Sequence, residues 1–388
     1  MSEGEPAGKR PAESGAPAHD LALVISDLGS GGAQRVLTTM ANAWAQLGVR
    51  VCVITLSGAD GDFFKLDDNV SRIALDRKRD SSSLLAAVAA NIGRIRLLRR
   101  ALCRGQAPIV VSFVGATNVL TVLAAIGLGR HLVVCERNDP RRQSLGLIWD
   151  GLRRALYGRA NLVTANSHGV MKVLADFVPD HKLAYLPNPL VRAPTPTQRG
   201  NGAECVLLSV GRLSRQKGYD VLLQAFAQIS RDAPACRLIV AGDGDLRHEL
   251  EGQARTLGLA DRVEWAGRTA DPYAYYAKAD IFVLPSRYEG TPNALLEAMS
   301  FGLPCVVTNA SPGPLEFVEA DVTGLVVPTE DHEKLAAALA SLIADGGLRK
   351  RLGAAAAARV SDLDLPQVLE HWQHVIGLSA PRDARGQV

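Results

Sequence analysis

Short apolar runs alternate with helix-period segments along this chain, and the alternation stops once and starts again. Runs of strand length fall at 21–26, 49–56, 71–75, 109–113, 131–135, 161–165 and 182–186. Between most of them lie segments with apolar residues three or four apart, such as Val36, Met40, Ala43 and Leu47. Residues 187–202 then carry four prolines with Gly and Thr, a linker by composition. Beyond it the runs resume at 205–210, 237–241, 263–266, 281–284, 305–308 and 325–327. Strands alternating with helices build parallel sheets, because each parallel neighbour needs a crossover and the crossovers cover the faces. Seven strands followed by six predict an α/β chain of two doubly wound sheets facing each other. Its ligand is expected in the cleft between them, at the carboxyl ends of the strands.

Composition agrees with a large folded core. The 388 residues are 47% apolar and 21% charged, which excludes a wholly disordered chain and suggests two or three domains. The six cysteines are scattered without a CxxC pair, so a disulfide scaffold or zinc cage is disfavoured and a reducing compartment expected. Residues 1–20 are polar and lack the apolar stretch of a secretory signal, so they read as a disordered arm. Residues 105–129 carry no charge and approach the length of a membrane span. Pro108 and the polar run 115–118 favour a strand at 109–113, a loop, and a short helix over 118–126 instead. Charge is uneven: residues 1–195 hold 24 Lys and Arg against 16 Asp and Glu, and residues 196–388 hold 19 against 24. A basic front half suits an anionic partner.

Four loops carry candidate chemistry. In 27–35, Gly29, Gly31 and Gly32 precede a helix whose amino end favours an anion, although a plain tight turn needs glycine equally. The dinucleotide-binding spacing of glycines is absent. In 211–220, Gly211 leads to Arg212 and Lys217, two cations suited to a diphosphate and its departing charge; a solvated basic loop is the plainer alternative. In 241–245, Asp243 and Asp245 form a D-x-D, read here as a helix cap rather than a metal site. In 286–304, Glu289 stands in a loop and Glu297 about one turn inside a helix that starts near Asn293, with Pro292 at its beginning. Carboxylates accept hydrogen bonds from adjacent hydroxyls, which suits sugar rings, and the amides of 290–293 suit phosphate or sugar oxygens.

Two further features have competing readings. Tyr273, Tyr275 and Tyr276 either border a nucleobase or pack on a core, the second being favoured; Arg268 is the better candidate for the base rim, through its backbone. Residues 77–79 (Arg-Lys-Arg) precede a segment with Arg94, Arg96, Arg99, Arg100 and Arg104 interleaved with Ile92, Ile95, Leu98 and Leu102. This amphipathic basic helix either lies on anionic lipid headgroups or packs its apolar side on the sheet. Nucleic acid is disfavoured because the basic segments carry almost no aromatics.

The segments LGSGGAQRV (28–36), ERNDP (136–140), SVGRLSRQKG (209–218), AGDGDLR (241–247) and EGTPNALLE (289–297) together resemble the retaining GT-B glycosyltransferases of family 4. The likeness is greatest to bacterial enzymes that extend polyprenyl-diphosphate-linked oligosaccharides with N-acetylhexosamines. The resemblance implies the GT-B fold, two facing Rossmann-like domains with an inter-domain cleft. The expected division is an arm (1–20), an acceptor-binding domain (21–190), a linker (191–203) and a nucleotide-sugar-binding domain (204–362). A helix crossing back to the first domain (363–380) and a tail (381–388) follow.

The resemblance also implies roles. Arg212, Lys217 and Glu289 are expected to be catalytic, the cations on the donor phosphates and Glu289 on the transferred sugar. Gly31, Gly32, Gly211, Arg268, Gly290, Thr291, Asn293, Leu295 and Glu297 are expected to bind the donor, Glu297 through the ribose hydroxyls. Many relatives carry a His within the segment matching 136–139; here Arg137 or Asn138 stands there, and these two are the acceptor-side candidates. An arginine does not serve as a neutral base. His168, at a helix start, is not given that role. No cofactor and no metal are implied. The expected partners are a nucleotide-sugar donor, favoured as a UDP-N-acetylhexosamine with GDP-mannose as alternative, and a lipid-linked saccharide acceptor. The expected place is the inner face of the plasma membrane. A sugar-nucleotide epimerase lacks the required acid–base pair here, and a non-catalytic binding module does not explain the complete set of charged residues.

Overall fold

The computed structural model describes residues 18–76, 84–141, 143–191 and 205–379. Its first sheet holds β1 (Leu21–Ile25), β2 (Val51–Thr55), β3 (Ser71–Ala74), β4 (Ile109–Phe113), β5 (His131–Glu136), β6 (Leu162–Ala165) and β7 (Leu183–Tyr185). Its second holds β8 (Cys205–Val210), β9 (Cys236–Ala241), β10 (Val263–Gly267), β11 (Ile281–Leu284), β12 (Cys305–Thr308) and β13 (Gly324–Val327). The strands run in the orders β3-β2-β1-β4-β5-β6-β7 and β10-β9-β8-β11-β12-β13, and all the pairs are parallel. Helices cover both faces, so an inner strand such as β1 is buried at all five positions. That burial is why it reads as a continuous apolar run instead of an alternating one. Each sheet reverses direction of growth at its first strand, between β1 and β4 and between β8 and β11, which opens a crevice at the carboxyl ends.

One face of the first sheet is packed by Leu37, Met40 and Trp44 of the helix Gly32–Gln46. The helix Leu365–Ile376 completes that face, although it follows the whole second sheet in the chain. Trp372, fully buried, stacks on Phe113 with ring centroids 6.1 Å apart and meets Trp44 edge-on at 6.0 Å. Its indole N–H donates to the Pro187 carbonyl at 3.0 Å. The second lobe encloses its own cores, with Leu222, Phe226 and Leu339 in one and Phe282, Met299 and Val307 in the other.

Three expectations need correction or completion. The polar run 115–118 is no loop: the helix begins at Gly115 and runs to Ala125. Asn118 is tolerated inside it because its side-chain amide donates to the Cys135 carbonyl (3.0 Å) and the Tyr157 hydroxyl (3.1 Å). The basic helix, Leu84–Gly105, spends its apolar side on the sheet, with Leu98 and Leu102 in the core. Arg96, Arg100 and Arg104 face outward, and Val88 (58%) and Ile92 (43%) remain exposed. Among the described residues no helix is long and apolar enough to cross a membrane. Residues 1–17 of the arm, 77–83 with the Arg-Lys-Arg run, 192–204 covering most of the linker, and the tail 381–388 lie outside the described residues. At the start of β1, Asp20 pairs with Arg50.

Candidate active site

The carboxyl ends of the two sheets enclose a cleft of about 390 Å³, within the size range of small-molecule sites. The first lobe contributes Gly31, Gly32, Arg35, Arg137 and Asn138 to its lining, and the second contributes Gly211, Arg212, Lys217, Arg268, Glu289–Asn293 and Glu297. Thus every expected site residue reaches one cavity except Leu295. That side chain is fully buried in the second lobe's core, and its N–H donates to the Pro292 carbonyl. Two residues along a helix are about 200° apart around its axis, so Leu295 and Glu297 face opposite ways.

The loop after β8 holds the two cations. Lys217 ends a short 3₁₀ turn, and its Nζ donates to Glu289 Oε1 at 2.6 Å. The Ser286 hydroxyl donates to the same oxygen at 2.6 Å. The Glu289 backbone is pinned on both sides by Ser311, whose Oγ accepts from the Glu289 N–H and donates to the Glu289 carbonyl, each at 2.8 Å. Glu289 is therefore a fixed, buried carboxylate rather than a mobile surface acid. Arg212 is exposed and has no side-chain partner among the described residues, so its charge is open to an incoming anion.

The loop 241–245 closes down on this one. A Cβ on Gly242 would lie 1.9 Å from the Gly211 carbonyl oxygen, so glycine alone permits the crossing. Asp243 and Asp245 are not the helix cap that the sequence suggests. Asp243 Oδ1 accepts from the Gly244 N–H, and the helix starts at Arg247 behind Leu246 with no side-chain cap. Backbone bonds do the capping work, since the Leu246 N–H donates to the Leu213 carbonyl at 3.1 Å.

Glu297 lies buried in the helix Asn293–Ser300. Its Oε1 is 2.8 Å from Arg35 Nη1 of the opposite lobe, and its Oε2 accepts the Tyr276 hydroxyl at 2.9 Å. Burial pushes the Glu297 carboxyl above its ordinary value, and the Arg35 charge opposes that shift. Of the tyrosine cluster, Tyr276 is fully buried and Tyr273 stacks on Phe301 at 6.0 Å. Both therefore pack on the core and serve the Glu297 site, as the favoured reading has it. Arg268, just past β10, instead lies over the ring of Phe63 from the first lobe, 5.9 Å from its centroid.

Arg137 and Asn138 occupy the cleft wall at the end of β5. The Arg137 guanidinium is buried over Phe113 (5.2 Å) and Trp372 (4.9 Å), and Nη1 donates to Asn188 Oδ1 at 2.9 Å. Burial holds it below its ordinary value. Asn188 Nδ2 then donates to Asn293 Oδ1 at 2.6 Å, and Asn293 Nδ2 to the Gly32 carbonyl at 3.2 Å. Thr291 adds a hydroxyl bond to the Asn166 carbonyl at 2.5 Å. His168 does start a helix, but it pairs with Glu316 of the second lobe (3.3 Å) and does not line the cleft.

Sequence reasoning missed Arg35, Asn188 and Asn166. Asn188 and Asn166 leave no local signal, because the contacts that bring them to the site, with Asn293 and Thr291, come from the other lobe. Arg35 does leave one: it is a cation in the first turn of its helix, where the dipole disfavours positive charge without a partner.

Two family models match successive stretches of the chain. The family model "Glycosyl transferase 4-like domain" matches residues 31–189, and "Glycosyl transferases group 1" matches residues 197–359. A curated relative from Campylobacter jejuni is 28% identical over 360 residues, which cover 92% of this chain and 98% of the relative. It is described as an alpha-1,4-N-acetyl-D-galactosaminyltransferase acting on GalNAc-alpha-(1->4)-GalNAc-alpha-(1->3)-diNAcBac-PP-undecaprenol. A second protein of that organism, an N-acetylgalactosamine-N,N'-diacetylbacillosaminyl-diphospho-undecaprenol 4-alpha-N-acetylgalactosaminyltransferase, is 26% identical over 89% of this chain and 95% of its own. Among solved structures, Anabaena HepE in complex with UDP and glucose superposes with a TM-score of 0.74 at 19% identity, over 93% of this chain and 100% of that one. Sucrose-phosphate synthase from Thermosynechococcus elongatus does so with 0.76 at 20% identity, over 92% and 99%.

The lobes meet closely at Gly290, where an added Cβ would lie 2.3 Å from the Arg137 carbonyl oxygen. Gly290→Ala is expected to destabilise the protein by about 1–3 kcal/mol through that clash. Gly93→Ala, inside a helix with nothing within 4 Å of the new atom, is expected to stabilise it by ~0.5–1 kcal/mol. Thermal melting of the two variants checks the opposite signs.

Proposed function

The chain belongs to the group 1 glycosyltransferases of family 4, retaining enzymes of the GT-B fold, and from that premise we propose that its cleft moves an N-acetylhexosamine from a UDP donor to a saccharide carried on polyprenyl diphosphate. The observation that carries this reading is the meeting of Arg212, Lys217, Glu289 and Glu297 around one cavity. The Campylobacter relatives support the sugar and the acceptor class, and the UDP bound in Anabaena HepE supports the donor base.

In this reading Arg212 and Lys217 hold the donor diphosphate, Glu289 orients the sugar, and Glu297 receives the ribose hydroxyls. Gly31 and Gly32, with the amino end of their helix, add partial positive charge beside the phosphates. The bond from the anomeric carbon to the diphosphate breaks while the acceptor oxygen bonds that carbon on the same face. The acceptor proton passes to the departing phosphate oxygen, so no protein base is needed, and Arg137 is not asked to be one. The two cations stabilise charge that grows on the leaving group, which lowers the barrier. They take the part a divalent metal plays elsewhere, so the reaction is proposed to be metal-independent.

A polyprenyl acceptor is embedded in a membrane. The first lobe is therefore proposed to rest on anionic lipid through Arg96, Arg100 and Arg104, with Val88 and Ile92 as apolar contacts beside them.

Lys217→Ala is expected to lower turnover ~100-fold or more, as loss of one transition-state donor does, in an assay of transfer from a panel of UDP- and GDP-sugars. Unchanged kcat removes Lys217 from the mechanism, and transfer from a GDP-sugar alone overturns the donor assignment. Excess EDTA is expected to leave the same rate unaltered; abolition by EDTA with rescue by manganese refutes metal independence. Flotation with phosphatidylglycerol vesicles is expected to carry the protein, and the triple variant Arg96→Ala, Arg100→Ala, Arg104→Ala to stay in solution; equal flotation of both moves the lipid contact elsewhere.

A further inference from the structure

Arg35 has no part in the reaction just described, yet it holds a central position. It projects from the first lobe and is mostly buried, and its Nη1 lies 2.8 Å from Glu297 Oε1 of the second lobe. Its Nη2 donates to the Tyr273 hydroxyl at 3.0 Å, and its guanidinium lies over the Tyr273 ring, 5.4 Å from the centroid. Burial pulls the guanidinium downward, but Glu297 and the two tyrosines more than offset it, so its charge is secure. With Tyr276 on Oε2, each Glu297 oxygen already has a partner.

A ribose offers two adjacent hydroxyls, and a carboxylate accepts both best with an oxygen for each. Tyr276 belongs to the same lobe as Glu297, and its hydroxyl gives way by rotating. Arg35 belongs to the other lobe, so its withdrawal changes how the lobes meet. We propose that Arg35 is a positioning residue that competes with the donor's ribose for Glu297: it fills the ribose seat while the cleft is empty, ties the lobes together there, and yields the carboxylate when the nucleotide arrives. The inference rests on the assignment of Glu297 to the ribose. Nucleotide binding is then linked to lobe movement, and after transfer the return of Arg35 to Glu297 helps expel the nucleoside diphosphate, since linkage is reciprocal.

A seat that is blocked nine-tenths of the time lowers apparent affinity about tenfold. Calorimetric titration tests this with UDP and with inorganic pyrophosphate, which has no ribose. Arg35→Gln is expected to bind UDP about tenfold tighter than the wild type and pyrophosphate equally well. Arg35→Lys keeps a cation but does not span Glu297 and Tyr273 together, so it is expected to fall between them, and it serves if the glutamine variant does not fold. UDP affinity that is unchanged or weaker in the variants overturns the proposal. Equal tightening of pyrophosphate also overturns it, because the effect is then lobe opening without competition at the ribose. If neither wild type nor variants bind UDP, the donor assignment fails and takes this inference with it.

Discussion

A carboxylate withdrawn from water needs a partner, and the two buried acids of this cleft find theirs differently. Glu289 takes Lys217 and Ser286 from its own lobe. Glu297 takes Tyr276 from its own lobe and Arg35 from the other. Unpaired, either acid costs several kcal/mol or takes up a proton. The pairing therefore does two things at once: it gives each buried carboxylate its hydrogen-bond partners, and it makes the relation of the lobes part of the electrostatics. The cleft is a place where charge balance and domain geometry are the same problem.

The contacts around this pair run in one connected line. Trp372 supports Arg137, Arg137 holds Asn188, Asn188 holds Asn293, and Asn293 reaches the Gly32 carbonyl. The line begins on the returning helix, passes along the cleft wall at the end of β5 and ends at the Gly-rich loop. Arg137 is thus built into the frame of the site. Its guanidinium holds Asn188 and the Leu186 carbonyl through Nη1.

Much of this was legible in the sequence. The thirteen strands among the described residues were, the inner ones because a strand covered on both faces leaves an unbroken apolar run bounded by polar turns. The loops carrying Arg212, Lys217 and Glu289 were also readable, since each follows a buried strand and joins glycine to charge. What escaped was whatever depends on a distant partner. The start of the helix at Gly115, inside a polar run, is hidden until the Cys135 carbonyl and Tyr157 are placed beside Asn118. Leu295 shares a motif with Glu297 but not a helix face. Asp243 and Asp245 look like caps only while the Leu246–Leu213 backbone bond is unknown. The partner of Arg35 stands 262 positions later, and no local periodicity reaches that far.

The helix Leu365–Ile376 has a consequence for biosynthesis. A ribosome delivers the first lobe's seven strands well before Leu369 and Trp372 exist, yet those two side chains close one wall of its core. The amino-terminal half thus emerges with apolar surface around Phe113 and Trp44 still uncovered, and it waits through the synthesis of the entire second sheet for its cover. Vectorial folding, in which each domain finishes before the next begins, is closed to this topology. The first lobe to be made is the last to mature.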